Sequence, residues 1–85
     1  MNPSPETRVA VISIIVENPD CVGAINDILH SAAGHIIGRM GIPYREKNIS
    51  IISVVVDADL NIINNISGKL GRLPGATVKT AYSKQ

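Results

Sequence analysis

The chain has 85 residues and a formal net charge of +1, and 45% of its residues are hydrophobic although it contains neither Phe nor Trp. This length provides a single domain, which we expect at residues 8–85, after a flexible polar tail at 1–7. The near-neutral charge leaves no basic patch for direct binding of nucleic acid. One cysteine excludes an internal disulfide and favours a reducing compartment, and no apolar run approaches the ~20 residues of a membrane span. We therefore expect a cytoplasmic protein without a membrane segment.

The first half of the chain predicts a strand, a helix and a second strand. Residues 8–17 form a β-branched run typical of a strand. Asn18, followed directly by proline, is typical of a helix N-terminus. Apolar residues then recur at helical spacing and predict an amphipathic helix, with a stripe formed by Val22, Ile25, Leu29, Ala32 and Ala33. Gly34 is expected to end this helix in a left-handed conformation. A weaker strand at 35–44 contains Pro43, which favours a position at the sheet edge.

The second half of the chain repeats a similar order of elements. A polar turn leads into a β-branched strand at residues 49–57. Either Asp57 or Asp59 is placed to cap a second helix, whose apolar stripe comprises Ile62, Ile63, Ile66, Leu70 and Leu73. A Pro-Gly pair ends that helix, and residues 76–82 form a short last strand. The order β-α-β-β-α-β predicts an α+β, ferredoxin-like domain with a four-stranded antiparallel sheet and two helices on one face.

The stretch Gly68-Lys69-Leu70-Gly71 has the glycine spacing of a phosphate-binding or RNA-binding loop. A proline arrives three residues after Gly71, so the helix that a KH-type loop requires cannot follow. The spacing of a Walker loop is also absent. Lys69 and Arg72 are instead expected to complement the dipole at the end of the second helix.

Both faces of the two central strands are apolar, which is unusual for a sheet that two helices cover on one side. In the first strand, the two sets of alternating residues are Val9, Val11, Ser13, Ile15 and Ala10, Ile12, Ile14, Val16. Each Val or Ile left in water forfeits roughly 1.5–3 kcal/mol. We therefore predict a homo-oligomer, a dimer or a tetramer, in which sheets pack face to face or edges pair. A monomer with an apolar face is the alternative.

A family resemblance appears in the segments RMGIPYREKNISIISVVVDAD and ISGKLGRLPGATVKT. They resemble the small ACT-like regulators of the iron-only hydrogenase system, and the matching positions are Arg39, Gly41, Pro43, Arg45, Glu46, Asn48, Ile51, Ile52, Ser67 to Gly71, Val78 and Lys79. The resemblance implies an ACT-like fold similar to the C-terminal domain of nickel-responsive regulators. It also implies a role in hydrogenase maturation or control, with a protein partner there. ACT-type domains typically form oligomers and bind small effectors at subunit interfaces.

Two features of the nickel-responsive regulators have no counterpart in this sequence. Seven residues precede the first strand, too few for a DNA-binding ribbon-helix-helix, so direct DNA binding is not expected. The nickel site of those regulators needs several histidines and a cysteine, whereas this chain has Cys21, His30 and His35. Cys21 and His30 are half a turn out of phase on one helix. The alternative function is thus a metal- or redox-responsive protein that combines Cys21 with His30 or His35 across a subunit interface. The other interpretation of Cys21 is a small, partly buried hydrophobic side chain without a role in binding. We assign no metal and no cofactor.

The second hairpin is one candidate ligand site. Arg39, Arg45, Glu46 and Asn48 are expected to meet there, and a guanidinium group binds a carboxylate in a bidentate manner. A solvated turn with Asn48 in a left-handed conformation is the alternative interpretation.

The loop at the start of the first helix is the other candidate, and it contains Asn18 and Asp20. The resemblance implies that backbone N–H groups of this loop are presented to an effector. No Ser-His-Asp arrangement or close His/Glu metal pattern is recognisable, and the Asp57 and Asp59 pair is better explained by helix capping. The sequence therefore predicts a regulatory domain that binds a small effector or docks a protein, and not an enzyme.

Overall fold

The computed structural model describes residues 6–84. The strands and helices are β1 Arg8–Val16, α1 Val22–Ser31, β2 Ile36–Tyr44, β3 Ile49–Ala58, α2 Leu60–Gly71 and β4 Ala76–Tyr82. The sheet is antiparallel, with the strand order β2-β3-β1-β4. The predicted ferredoxin-like α+β fold is confirmed, including the edge position of β2. The predicted tail at 1–7 lies outside the described residues except for Glu6 and Thr7.

The start of α1 follows the sequence prediction, but its end does not. Asn18 Oδ1 accepts a hydrogen bond from the backbone N–H of Asp20 at 2.9 Å, and a 3-10 turn precedes the first residue of α1. The prediction that Gly34 adopts a left-handed conformation is wrong, because positive φ angles in residues 6–84 occur at Asn48 and Gly75. The helix instead ends through a second 3-10 turn, Ala33–His35. The Ala32 N–H donates to the Leu29 carbonyl and the His35 N–H donates to the Ala32 carbonyl, so the chain leaves α1 without a left-handed residue.

The start of α2 decides between the two candidate caps. Asp59 Oδ1 accepts a hydrogen bond from the backbone N–H of Ile62 at 2.9 Å, whereas Asp57 lies within β3. The helix ends at Gly71 with Lys69 in its last turn, as the sequence predicts. In residues 6–84, no helix is both long enough and apolar enough to cross a lipid bilayer.

Replacing Asp59 with alanine should lower the free energy of unfolding by about 1 kcal/mol, because it removes the acceptor for one N–H group at the helix start. For a domain of this size that is a drop of roughly 4–8 °C in the melting temperature. Thermal denaturation followed by circular dichroism measures the change. Asp57→Ala is the control, since Asp57 is exposed and caps nothing in the described chain. Equal losses in the two variants would contradict the capping role.

The hydrophobic core lies between the two helices and one face of the sheet. The buried side chains with the largest volumes are Ile12, Ile14, Ile25, Leu29, Val54, Val56, Ile63 and Leu70. On β1, the buried set is the one that begins with Ala10, and each member pairs with a residue of β3 that also faces the helices. One of the two apolar sets in each central strand is therefore covered by helices.

The other face of the sheet, which we call the open face, is covered by neither helix. It carries the alternate residues of all four strands, so that Ile15 lies beside Ile51, and Val11 beside Val55. Eight large apolar side chains are exposed in residues 6–84, and five of them lie on the open face: Val9, Ile15, Met40, Ile42 and Tyr44. The second apolar set of the sequence thus lies at the surface of the single chain.

Candidate functional site

A groove separates α1 from the edge strand β2, on the helix side of the sheet. After Ile36, which packs against the core, three further residues of β2 face this side: Arg39, Gly41 and Pro43, opposite Val54, Ile52 and Ser50 of β3. None of the three is a Val, Leu or Ile, so no branched aliphatic side chain of β2 fills this stretch beneath the helix. A Cβ atom added at Gly41 would meet no atom of the described residues within 4 Å. We call this space the α1–β2 groove.

The α1–β2 groove consists of three hollows that share lining residues. A hollow of ≈ 530 Å³ at one end and a hollow of ≈ 320 Å³ in the middle are both lined by Asn26 and Arg39. The middle hollow shares Val22 and Pro43 with a third hollow of ≈ 120 Å³ at the other end. The residues that line the groove run from Ile36, the first residue of β2, to Asn48, which follows the strand. The groove therefore follows nearly the whole of β2.

A polar pair defines the wide end of the groove. Arg39 Nη2 donates a hydrogen bond to Asn26 Oδ1 at 3.1 Å, which holds the guanidinium group against α1. Guanidinium has five N–H donors, so Arg39 and the Asn26 amide nitrogen retain donors for a further partner. Asp27, the next residue of α1, and His30, four residues after Asn26, line the same hollow. This arrangement provides a small set of donors beside an apolar floor.

The four hairpin residues of the sequence prediction do not form one cluster. Arg45 and Asn48 line the narrow end of the groove, whereas Arg39 lies six residues earlier on β2, about 20 Å away along the strand. Glu46 Oε2 accepts a hydrogen bond from the Tyr44 hydroxyl at 3.1 Å. Asn48 is left-handed, with φ 56° and ψ 41°, as predicted for a turn. Arg39, Arg45 and Asn48 therefore line the same groove, but Arg39 is too far from the other two to contact the same small ligand.

The loop with Asn18 and Asp20 has its backbone donors occupied. The N–H groups of Glu17 and Asn18 donate to the carbonyl of Gly75 at 2.7 and 3.2 Å. The N–H of Asp20 donates to the Asn18 side chain, and that of Cys21 to the Asn18 carbonyl. The intervening proline has no N–H. The N–H groups named here are thus not available to a ligand, and contact of Asn18 and Asp20 with an effector stays a prediction.

The candidate metal ligands lie apart in the single chain. Cys21 is buried, and its Sγ donates to the Asn18 carbonyl at 3.1 Å, so coordination would require the thiol to leave this position. His30 lines the α1–β2 groove, whereas His35 lines a separate hollow of ≈ 150 Å³ between α1 and α2. Within residues 6–84, no group of three or more His, Cys, Asp or Glu side chains is placed to hold a metal ion.

Asn26, Gly41 and Ser50 are the groove residues that the sequence prediction missed. The pattern Arg-x-Gly-x-Pro in β2 contained the relevant information, because alternate positions of a strand share a face. Three alternate strand positions without Val, Leu or Ile, next to a helix, predict a gap in the core at that position.

Comparison with known proteins places the chain in a family. The family model TM1266-like, described as "Iron-only hydrogenase system regulator, putative", matches residues 8–80. The solved structure of the uncharacterized protein TM1266 from Thermotoga maritima is similar, with a TM-score of 0.89 and 36% identity over 93% of this chain and 100% of that one. No curated protein matches the chain. The chain belongs to the TM1266-like family of iron-only hydrogenase system regulators.

Proposed function

We propose that the chain is a regulatory domain whose effector is a small aliphatic carboxylate bound in the α1–β2 groove. The observation that carries this proposal is the Arg39–Asn26 pair beside the open floor at Gly41. The carboxylate accepts hydrogen bonds from Arg39 and Asn26, and the aliphatic part lies over Gly41 towards Pro43. The effector then changes how the chain engages a partner protein in hydrogenase maturation or control.

The charges at the wide end of the groove favour a ligand with one negative charge. Arg39 supplies a planar guanidinium group that matches a carboxylate, and its bond to Asn26 restricts its orientation. Asp27 lines the same hollow and opposes a ligand with several negative charges, such as a nucleotide. The remaining neighbour, His30, supplies a ring nitrogen that accepts or donates a hydrogen bond.

The middle of the groove favours an aliphatic rather than an aromatic or strongly polar ligand body. Its floor and walls include Val22, Pro43 and Ile52, with the Ser50 hydroxyl as a polar group. Small-molecule sites commonly combine such an apolar lining with a few polar groups that fix orientation.

Strand β2 connects the groove with the rest of the surface. Gly41 faces the groove, whereas its neighbours Met40 and Ile42 lie on the open face. A ligand that contacts β2 more favourably in one conformation shifts the population towards that conformation, and the effect on a partner follows by linkage.

Titration with short aliphatic monocarboxylates, from propionate to hexanoate, tests the proposal by ¹H–¹⁵N NMR. We expect saturable shifts of the Asn26 side-chain amide and of the Gly41 backbone amide. Arg39→Gln should weaken the binding at least about tenfold, since a hydrogen bond to a charged group contributes roughly 1.5–3 kcal/mol. Alcohols of the same length, which lack the negative charge, should bind much more weakly.

Two further variants separate the groove from general effects. Arg72→Gln removes a positive charge at the end of α2, outside the α1–β2 groove, and should leave the titration unchanged. Gly41→Val places a side chain on the groove floor without a clash in the described residues and should block binding while the fold persists. Equal weakening by Arg39→Gln and Arg72→Gln would indicate non-specific ionic attraction. Unperturbed groove resonances would show that no carboxylate of this class binds there.

A further inference from the structure

We infer that the α1–β2 groove also receives the C-terminal end of a partner protein, which pairs as an extended strand with the free edge of β2. This inference rests on the proposed function, because the same pair, Arg39 and Asn26, holds the terminal carboxylate. It adds the chemistry of the partner, a chain that ends in an aliphatic residue. It also adds a manner of regulation, in which the small carboxylate and the chain end compete for one site.

The groove is longer than a short aliphatic carboxylate. Its lining follows β2, a strand of nine residues that spans roughly 30 Å. A chain of six carbon atoms reaches only about as far as two extended residues, or roughly 7 Å. Such a ligand, held at Arg39, leaves the narrow hollow beside Pro43 and Asn48 empty. An extended peptide has the reach to occupy both ends.

The outer edge of β2 carries backbone groups that a peptide can use. Within residues 6–84, β2 pairs with β3 alone, and all of its residues after Ile36 are exposed. Pro43 has no N–H, and proline fits an edge strand with its nitrogen turned away from the neighbouring strand. Because backbone groups alternate in direction along an antiparallel strand, the N–H and C=O of Gly41 face the same free edge.

The middle hollow of the groove reaches the backbone of the same stretch. It is lined by Gly41, Ile42 and Pro43 in succession, although the Ile42 side chain lies on the open face. Gly41 has no side chain to fill the hollow, and an added Cβ would meet no described atom within 4 Å. A chain that pairs with Gly41 can therefore place an aliphatic side chain there.

The Arg39–Asn26 pair sets the direction of the peptide. Arg39 lies two residues before Gly41 on β2, so a terminal carboxylate held at Arg39 makes the peptide antiparallel to β2. The N–H of the last peptide residue then donates to the Gly41 carbonyl, and its carboxylate accepts from the Gly41 N–H and from Arg39. Two residues earlier, the peptide N–H donates to the Pro43 carbonyl. The side chains of these two peptide residues share one face, towards the middle and the narrow hollows.

Two irregularities of β2 restrict pairing to a short chain end. The register with β3 shifts between Ile36 and Gly38, directly before Arg39, so the regular ladder stops where the carboxylate lies. At the other end, Pro43 has no N–H group to donate. Both features are typical of edges that resist the addition of a long strand. The stretch from Arg39 to Pro43 therefore suits the last residues of a chain better than a strand that continues past the groove.

Titration of the full chain with the N-acetylated peptide Gly-Ser-Ala-Ser-Leu, followed by ¹H–¹⁵N NMR, tests the inference. We expect shifts of the Asn26 side-chain amide and the Gly41 backbone amide. The dissociation constant should be at least about tenfold lower than that of hexanoate, because the peptide adds two backbone hydrogen bonds and a second side chain. Amidation of its C-terminus should weaken binding at least about tenfold, since it removes the charge opposite Arg39. Excess hexanoate should raise the apparent dissociation constant of the peptide.

Methylation of single peptide nitrogens separates strand pairing from a looser contact. A methyl group on the nitrogen of the last Leu removes the donor to the Gly41 carbonyl and should weaken binding at least about fivefold. A methyl group on the nitrogen of the preceding Ser is the matched control, because that N–H faces away from β2. It should change the dissociation constant by less than about twofold.

The outcomes distinguish this inference from the proposed function. A peptide that binds no more tightly than hexanoate, while hexanoate still shifts the groove resonances, would overturn the inference and leave the proposed function intact. Equal weakening by the two methyl groups, or a peptide that hexanoate does not displace, would also overturn it, because the peptide then binds without pairing with β2 or at another surface. Groove resonances that respond to neither ligand would contradict both proposals.

Discussion

Replacing Gly75 by alanine adds a single methyl group, and it is expected to lower the free energy of unfolding by about 2–4 kcal/mol. Gly75 has φ 88°, a conformation that residues with a Cβ rarely adopt, and an added Cβ would overlap Asn18 Cβ. The Gly75 carbonyl also accepts the N–H groups of Glu17 and Asn18, so the two loops cannot separate without losing both bonds.

Gly71→Ala provides the matched control for Gly75→Ala. Gly71 is the last residue of α2, and a Cβ added there would meet no described atom within 4 Å. Alanine in a helix is favoured over glycine by up to about 1 kcal/mol, so this variant should be neutral or slightly stabilised. Urea denaturation of the two variants measures the difference. Similar stabilities would contradict the close approach of the two loops.

Replacing Ile14 by alanine is expected to cost about 2–5 kcal/mol, because it leaves a cavity in the centre of the core. Ile14 is fully buried, and its partners across the sheet are Ile52 and Val78. Small domains are stable by only about 5–15 kcal/mol, so the loss is a large fraction of the total. The variant should unfold at a much lower urea concentration than the wild-type chain.

The same substitution at Ile15 is the control, because Ile15 is the next residue of β1 and points to the open face. At low protein concentration, where the predicted homo-oligomer would be dissociated, Ile15→Ala should cost about 1 kcal/mol or less. At high concentration its deficit should grow, because the predicted homo-oligomer would then contribute to the stability of the wild-type chain. A loss at Ile15 as large as that at Ile14, at all concentrations, would contradict the assignment of the two faces.

The regular elements were predictable because local patterns decide them. The β-branched run at 49–57 corresponds to Ile49–Ala58, and the predicted last strand has the bounds Ala76–Tyr82. The central position of β1 and β3 followed from the predicted order of elements. Here hydrophobic periodicity and the turn residues agree with each other, and tertiary contacts do not override them.

The end of α1 was mispredicted because a glycine near a helix end has more than one use. Gly34 suggested a left-handed cap, but the chain continues from Ala32 into the 3-10 turn at Ala33–His35, where the His35 N–H donates to the Ala32 carbonyl. The choice between Asp57 and Asp59 was equally open in the sequence. It depends on which residue lies one position before the first helical turn, and sequence patterns locate such boundaries least well.

The candidate site was only partly predictable, because its geometry depends on contacts between distant parts of the chain. The Arg39–Asn26 bond joins residues thirteen positions apart in different elements. The N–H groups of Glu17 and Asn18 donate to the carbonyl of Gly75, which lies near the other end of the chain. Neither contact leaves a local pattern. Only the lack of Val, Leu and Ile at Arg39, Gly41 and Pro43 on one face of β2 was visible in the sequence, and it indicates a gap rather than a ligand.

Native mass spectrometry of untagged chain, purified without chelator, tests the proposed groove most directly when wild type and Gly41→Val are compared. We predict an even-numbered wild-type assembly that carries a fixed excess mass of a small organic acid. Gly41→Val should form the same assembly without that mass, because the added side chain occupies the groove floor. An excess mass that Gly41→Val retains, or an excess mass equal to that of a metal ion, would contradict binding of a carboxylate in the α1–β2 groove.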